Sequence, residues 1–226
     1  MTWQVSREAG PAAELHRRSA ELVSAERPTR SVRLLEANAP AIVLGSAQPA
    51  GDVDEAAAAA AGVAVVRRRS GGGAVLVTSR TVVWVDLVLP VGDPLWHDDV
   101  GRAAHWVGRA WAAALAGQGV AGAEVWEGPL RRTPWSGRVC FAGVGPGEVL
   151  VGGTKVVGVS QRRTRRAALF QTAALVSWDP GTLLDLLALA PPDRAGAAAE
   201  LAGVAAGCGE RAASGLFASL VDSLPA

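Results

Sequence analysis

The stretch that any fold of this chain must be built around is Thr81 to Leu89, TVVWVDLVL, apolar on both faces apart from Asp86. Such a strand belongs at the centre of a sheet, where both faces are covered. Asp86 is placed to pair with an arginine of the run Arg67-Arg68-Arg69, as a structural ion pair or as a catalytic group. At 226 residues the chain fits one large domain or one and a half. A chain of this length buries roughly 70% of its unfolded surface, so a sizeable core is available.

The second constraint is Glu148 to Arg163, EVLVGGTKVVGVSQRR, which holds Lys155, the only lysine among 22 Lys plus Arg. A composition so poor in lysine keeps one where arginine will not serve: a compact point charge with three movable donors rather than a planar fork. Val149 to Val151 read as a strand, Gly152-Gly153 as a two-residue turn needing positive φ, and Thr154 to Ser160 as the returning strand. Strict alternation puts Lys155, Val157 and Val159 on one face and Val156, Gly158 and Ser160 on the other, unless a bulge at Gly158 resets it. The alternative is a lysine on a solvated edge strand that discourages aggregation.

Upstream, VVRRRSGGGAVLV at Val65 to Val77 carries a strand through arginines into three glycines and back into strand. Bare backbone N–H groups there can approach a phosphate or an acyl carbonyl, although three glycines also make a plain flexible turn. GxxxxGK[ST] is absent, and no GxGxxG opens a helix.

Elsewhere the pattern predicts an amphipathic helix over 8–25, strands at Ser31 to Ala37 and Ala41 to Leu44, and a short helix over Asp52 to Ala61. A long helix follows from a cap at Asp98 to Gln118, then a strand at Ala123 to Trp126 and a polar loop at Glu127 to Gly137. Further strands are expected at Arg138 to Gly143 and Ala167 to Trp178, and three helical segments near 181–190, 195–205 and 210–224.

A net charge of +1 argues against a dedicated nucleic-acid binder. The arginine clusters beside the glycine-rich stretches suit small anionic groups instead. Two cysteines, Cys140 and Cys208, and a start without an apolar signal region predict free thiols and a cytoplasmic location. No apolar run approaches the ~20 residues of a membrane span. His16, His97 and His105 form no metal spacing with either cysteine, so no structural metal site is expected.

Two separated segments, RRRSGGGAV at Arg67 to Val75 and GGTKVVGVSQRRT at Gly152 to Thr164, resemble the paired motifs of lipoate-protein ligases and of the wider biotin/lipoyl ligase and octanoyltransferase superfamily. The resemblance runs over roughly residues 30–178. It implies an α+β fold, a mixed β-sheet flanked by helices as in the biotin/lipoyl-ligase (class II synthetase-like) core. A single catalytic domain would span 1–226, with a short helical extension from about residue 180. It further implies activation of lipoate or octanoate by ATP and Mg2+ as the acyl adenylate. Transfer follows to a lysine of a lipoyl carrier domain, of the 2-oxoacid dehydrogenase E2 or glycine cleavage H protein type. By position, Arg69, Ser70, Gly71, Gly72, Gly73 and Ala74 would cradle acyl group and phosphate, Lys155 would contact the carbonyl and phosphoryl oxygens, and Gly158 and Ser160 would line the same wall.

The chain departs from the pattern in four places. Leu76-Val77-Thr78 replaces a His-Asp pair, and Gly145-Pro146-Gly147-Glu148 replaces an Asn-Asp pair, with Glu148 as its one acidic residue. Phe170-Gln171 replaces His-Gly, and the residues after Trp178 are too few for an accessory domain, which a separate subunit could supply. Cys140, in Val139-Cys140-Phe141, sits where an ATP-independent branch of the superfamily forms an acyl thioester, so the alternative is an octanoyl or lipoyl transferase with Cys140 as its nucleophile. A small buried hydrophobe is the plainer reading of that cysteine. A non-catalytic acyl- or adenylate-binding protein is the third alternative.

Overall fold

A computed structural model of the chain describes residues 2–226. In order, its elements are strand β1 (Gln4–Gly10), helix α1 (Ala12–Leu22), strands β2 (Ser31–Ala37) and β3 (Ala41–Leu44), helix α2 (Glu55–Ala60), and strands β4 (Ala64–Arg67), β5 (Val75–Val77) and β6 (Val82–Pro90). Then come helices α3 (Val100–Ala103) and α4 (His105–Gly117), strands β7 (Ala123–Val125), β8 (Val149–Val151), β9 (Thr154–Arg163) and β10 (Ala167–Leu175), and helices α5 (Pro180–Leu184), α6 (Pro191–Leu201) and α7 (Glu210–Asp222).

The two-faced apolar strand β6 lies inside a seven-stranded mixed sheet, ordered β1-β2-β6-β10-β9-β8-β7, in which β1 and β2 alone run parallel. One face is covered by α4 and α7, whose Trp111, Leu115, Leu216 and Leu220 pack with Val85, Val157 and Phe170. The other is covered by α1 and the small sheet β4-β3-β5, where Leu15, Val43, Val66 and Val77 meet Leu35, Trp84 and Phe141. A third cluster ties the small sheet to α5 and α6 through Ile42, Leu44, Leu184 and Leu201. Coverage on both sides is what an apolar-faced central strand requires.

Four local expectations are corrected. The helix expected over 8–25 begins only after Pro11, because residues 4–10 add a parallel edge strand to β2. That strand is mostly exposed and carries no apolar alternation to betray it. The helix expected from Asp98 is capped instead by Asp99, whose side chain accepts from Arg102 N, and it breaks into α3 and α4 at Ala104. Arg138 to Gly143 is no strand but holds a 3-10 turn over Cys140–Ala142, anchored by backbone bonds to Ala74. Asp86 does not meet the triple-arginine run. It lies opposite Arg33 in the β2–β6 register and accepts from Trp84 Nε1 at 2.8 Å.

Candidate functional site

Lys155 owes its position to a bulge, though not at Gly158. Between β8 and β9 the register steps from Val149↔Val157 to Leu150↔Lys155, so β9 carries one extra residue there. Val156 and Val157 therefore both enter the core under α4, and Lys155 is turned onto the face shared by Gly158 and Ser160. Added atoms at Gly158 would lie 3.4 Å from Lys155 Cε and 3.3 Å from the Phe141 ring, so glycine leaves room for the lysine stem.

The ammonium is 1% exposed, which removes it from the solvated-edge role. It pairs with Glu148 Oε1 at 2.7 Å, donates to the carbonyls of Cys140 and Gly143 at 3.0 Å each, and sits 4.9 Å from the Phe141 ring centre. Glu148 in turn accepts from Val159 N through Oε1 and from Gly145 N through Oε2. The lysine is thus a fully hydrogen-bonded buried cation whose three acceptors fix its direction.

The glycine turn faces it. Gly72 has φ of 101°, open to glycine with little strain, and a Cβ on Gly73 would run into the backbone of Val139. Arg68, the buried member of the triple run, holds the turn: it donates to the carbonyls of Val43 (3.1 Å), Gly71 (2.7 Å) and Gly73 (2.9 Å). Ser70 Oγ donates to Gln171 Oε1 at 2.8 Å and meets Ser160 Oγ at 2.9 Å. Arg69 is exposed, and Ala74 is fully buried behind the turn, where its backbone bonds to Arg138 and Cys140.

Gly71, Gly72, Gly73, Cys140, Lys155 and Ser160 line one open cavity of about 520 Å³, with Glu148 in its wall. Arg69, Ser70, Ala74 and Gly158, also expected at the site, do not line it. Behind Cys140 and Ser160, which border both spaces, a narrow bore of about 50 Å³ runs among Val43, Val75, Val77, Trp84 and Phe141. A polar mouth holding an ammonium and bare backbone N–H groups, leading into an apolar bore, suits a carboxylic acyl group with a hydrocarbon tail.

Sequence reasoning missed His16, Arg68, Trp84 and Gln171 as residues of this region. His16 reaches the bore from α1; its ring lies 4.5 Å from that of Trp84, and its Nδ1 is 3.1 Å from Gln171 Nε2. Burial, aided by the Arg68 charge, lowers its pKa to about 3, so the imidazole is neutral near pH 7. Burial likewise raises the pKa of Asp86, against the lowering effect of hydrogen bonds from Ser19, Trp84 and Gln171 and the Arg33 charge. The available signal for Gln171 was its strand position opposite Ser160; His16 and Trp84 gave none.

The family model for the lipoyl protein ligase A/B catalytic domain matches residues 11–208. The chain belongs to this family. Membership makes it a homologue of enzymes that join a lipoyl group to a protein lysine, and the mixed sheet flanked by helices is the family's catalytic fold. Among solved structures, it resembles a bipartite lipoate protein ligase studied with its E2 lipoyl domain from Thermoplasma acidophilum: TM-score 0.75, 17% identity, 99% of this chain and 84% of that one. It also resembles a lipoate-protein ligase A bound with ATP (TM-score 0.69, 17% identity, 99% and 85%). A third likeness is LipL1 from P. falciparum in complex with lipoate (TM-score 0.58, 14% identity, 82% and 51%). At these identities the likenesses speak for the fold. No curated protein sequence matches the chain. Among the described residues no helix is long and apolar enough to cross a membrane.

Proposed function

We propose that this enzyme forms an amide between a lipoyl- or octanoyl-class acyl group and a lysine of a lipoyl carrier domain, with ATP activating the acid as its adenylate. The carrying observation is that the Lys155 ammonium and the Gly71–Gly73 turn border one cavity, with the apolar bore opening from the same place. Both half-reactions develop charge on oxygen, first at the phosphoryl and acyl groups and then at the tetrahedral carbon attacked by the carrier amine. Preorganised N–H groups aimed at that oxygen are worth about 3–4 kcal/mol, and Lys155, whose donors are held by Glu148, Cys140 and Gly143, adds its positive charge from the cavity wall. ATP use is supported by the likeness to a ligase bound with ATP.

A resident Mg2+ does not fit the residues present. Glu148 is the one carboxylate lining the cavity, and both its oxygens are engaged by Lys155, Val159 and Gly145. Among the described residues no group of three or more His, Cys, Asp or Glu could hold a metal. No step is therefore assigned to a protein-held ion.

A second route is favoured by the place of Cys140, whose side chain borders both the open cavity and the bore, with Arg68 Nη2 3.8 Å from Sγ. The Cys140 thiolate would attack the acyl carbonyl of a thioester donor, expel the donor thiolate and hold the acyl group as its own thioester. The neutral carrier amine would then attack that carbonyl, forming the amide as the C–S bond breaks and its surplus proton leaves to the released thiolate or to solvent.

The routes separate in one assay. Apo carrier domain is incubated with octanoate or lipoate plus ATP–Mg, and separately with an octanoyl-thioester carrier, using wild type and Cys140→Ser. Acylation that needs ATP and survives Cys140→Ser supports the adenylate route. Acylation from the thioester donor that disappears in Cys140→Ser supports the thioester route. No product under either condition removes both and leaves a binding protein.

A further inference from the structure

We propose that the Ser160 hydroxyl receives the attacking amine: it accepts an N–H of the carrier lysine and aims the nitrogen lone pair at the acyl carbonyl, and a buried polar row behind it fixes which way that hydroxyl faces. The inference rests on the acyl-transfer reading for its reaction, but its argument comes from residues that reading does not use.

Four neighbouring strands each place a polar residue at one level of the sheet. Arg33 on β2 pairs with Asp86 on β6, Asp86 with Gln171 on β10, and Gln171 with Ser160 on β9. Directly opposed residues share a face, so the four side chains form one row. Arg33, Asp86 and Gln171 are buried, and a row of buried polar groups costs stability unless each is hydrogen-bonded. Of the four, only the half-buried Ser160 lines the open cavity.

Counting donors and acceptors gives the row a single direction. Gln171 Nε2 carries two protons and faces two acceptors, Asp86 Oδ2 at 3.3 Å and His16 Nδ1 at 3.1 Å. His16 is neutral near pH 7, so its Nδ1 is free to accept. The amide nitrogen is thereby held inward, and Oε1 is turned toward Ser70, whose hydroxyl proton it accepts at 2.8 Å. With that proton spent, Ser70 Oγ can only accept in its 2.9 Å contact with Ser160. The weaker alternative for the Ser160 proton, Gln171 O at 3.4 Å, also lies inside the wall. Ser160 therefore presents lone pairs to the cavity and keeps its proton behind them.

An acceptor with no proton to offer is what an incoming primary amine needs. Ser160 borders both the cavity and the bore, where the acyl carbonyl would lie beside the glycine turn. The neutral carrier amine donates one N–H to Ser160 Oγ and attacks the carbonyl carbon with its lone pair. The C–N bond forms as the bond to the AMP oxygen, or to the thioester sulfur, breaks. The surplus proton leaves to the departing phosphate or thiolate, or to solvent, and Ser160 does not keep it. Because the nitrogen gains positive charge as it attacks, its bond to Ser160 is stronger in the transition state than in the encounter complex, which raises kcat. Gln171 and Asp86 touch no substrate and act as positioning residues.

The test separates the two half-reactions. Wild type, Ser160→Ala, Ser160→Thr and Gln171→Met, each checked by its melt, are given octanoate plus ATP–Mg, and separately an octanoyl-thioester carrier. Activation is read as pyrophosphate released or as the mass of acylated Cys140, and transfer as kcat and KM for apo carrier domain. Ser160→Ala is expected to activate the acid within about twofold of wild type, while kcat for transfer falls about 10–100-fold at little-changed KM. Ser160→Gly takes its place if Ser160→Ala does not fold. Ser160→Thr keeps the acceptor and should stay within about fivefold of wild type, whereas Gln171→Met frees the Ser70 proton to turn on Ser160 and should lower kcat about 3–10-fold. Transfer by Ser160→Ala at the wild-type rate, or equal loss of activation and transfer, overturns the proposal and leaves the acyl-transfer reading standing. Failure of wild type to acylate the carrier from either donor removes that reading, and the proposal with it.

Discussion

At the scale of single residues, the site is a set of polar groups that burial has forced into specific partnerships. Lys155 and Glu148 form a buried pair whose remaining hydrogen-bonding capacity is met by backbone groups. Truncating one partner of such a pair typically costs about 3–5 kcal/mol because the other charge is left uncompensated. His16 gives a pH signature. Its folded pKa of about 3 lies below the ordinary 6.5, so between those values the unfolded chain takes up a proton that the folded chain does not. Stability attributable to His16 is intact above about pH 6.5 and is lost as the pH falls toward 3. Asp86, with its pKa raised, acts in the opposite sense, favouring the folded state at low pH. The two are separated by comparing wild type with His16→Asn in urea melts from pH 7 to pH 4. Wild type should lose on the order of a few kcal/mol more than the variant over that range. Parallel curves would show that His16 takes up its proton in the folded protein as readily as in the unfolded one.

At the scale of elements, two features make the site: a bulge in β9 and a glycine turn wedged against Val139. Gly73→Ala tests the second. The new methyl would lie 2.5 Å from Val139 N, against backbone that carries the Ala74 and Cys140 hydrogen bonds, so the turn or the 3-10 segment must move. A cost of about 1–3 kcal/mol is expected in denaturant melts, together with loss of acyl binding; an unchanged midpoint would show that the turn yields freely. The same elements show how far the sequence was legible. The hairpin, the glycine turn and the central strand could be read because each carries its own local signal: turn glycines, alternation or an apolar run. The face of Lys155 could not, because the bulge depends on how β9 pairs with β8, and Val-Val reads identically with or without it. Cys140 was expected in a strand because Val139-Cys140-Phe141 has strand composition; its backbone bonds to Ala74 dictate the turn instead. His16, Arg68, Trp84 and Gln171 converge from four separate elements or loops, and no local pattern announces that meeting.

At the scale of the whole molecule, the segments after Trp178 are built into the site rather than appended to it. Where β10 ends, the chain at Val204 to Ala206 takes over as the neighbour of Lys155: Lys155 N donates to Val204 O and Ala206 N to Lys155 O. Cys208 and Gly209 continue along Leu175 and Val176, and α7 then packs Leu216 and Leu220 into the core beneath α4. Truncation after Gly203 should therefore abolish cooperative melting and leave β9 amides open to hydrogen exchange, whereas a melt like that of the full chain would mark the C-terminal helices as dispensable. The molecule as a whole is a two-faced sheet that brings an ammonium, a glycine turn and an apolar bore to one point. Single-turnover acylation of an apo carrier domain by wild type and by Lys155→Gln, the latter checked for folding by its melt, tests that claim most directly. Transfer slowed by about 10²–10³ in the folded variant is the predicted result; transfer at the wild-type rate would contradict the account.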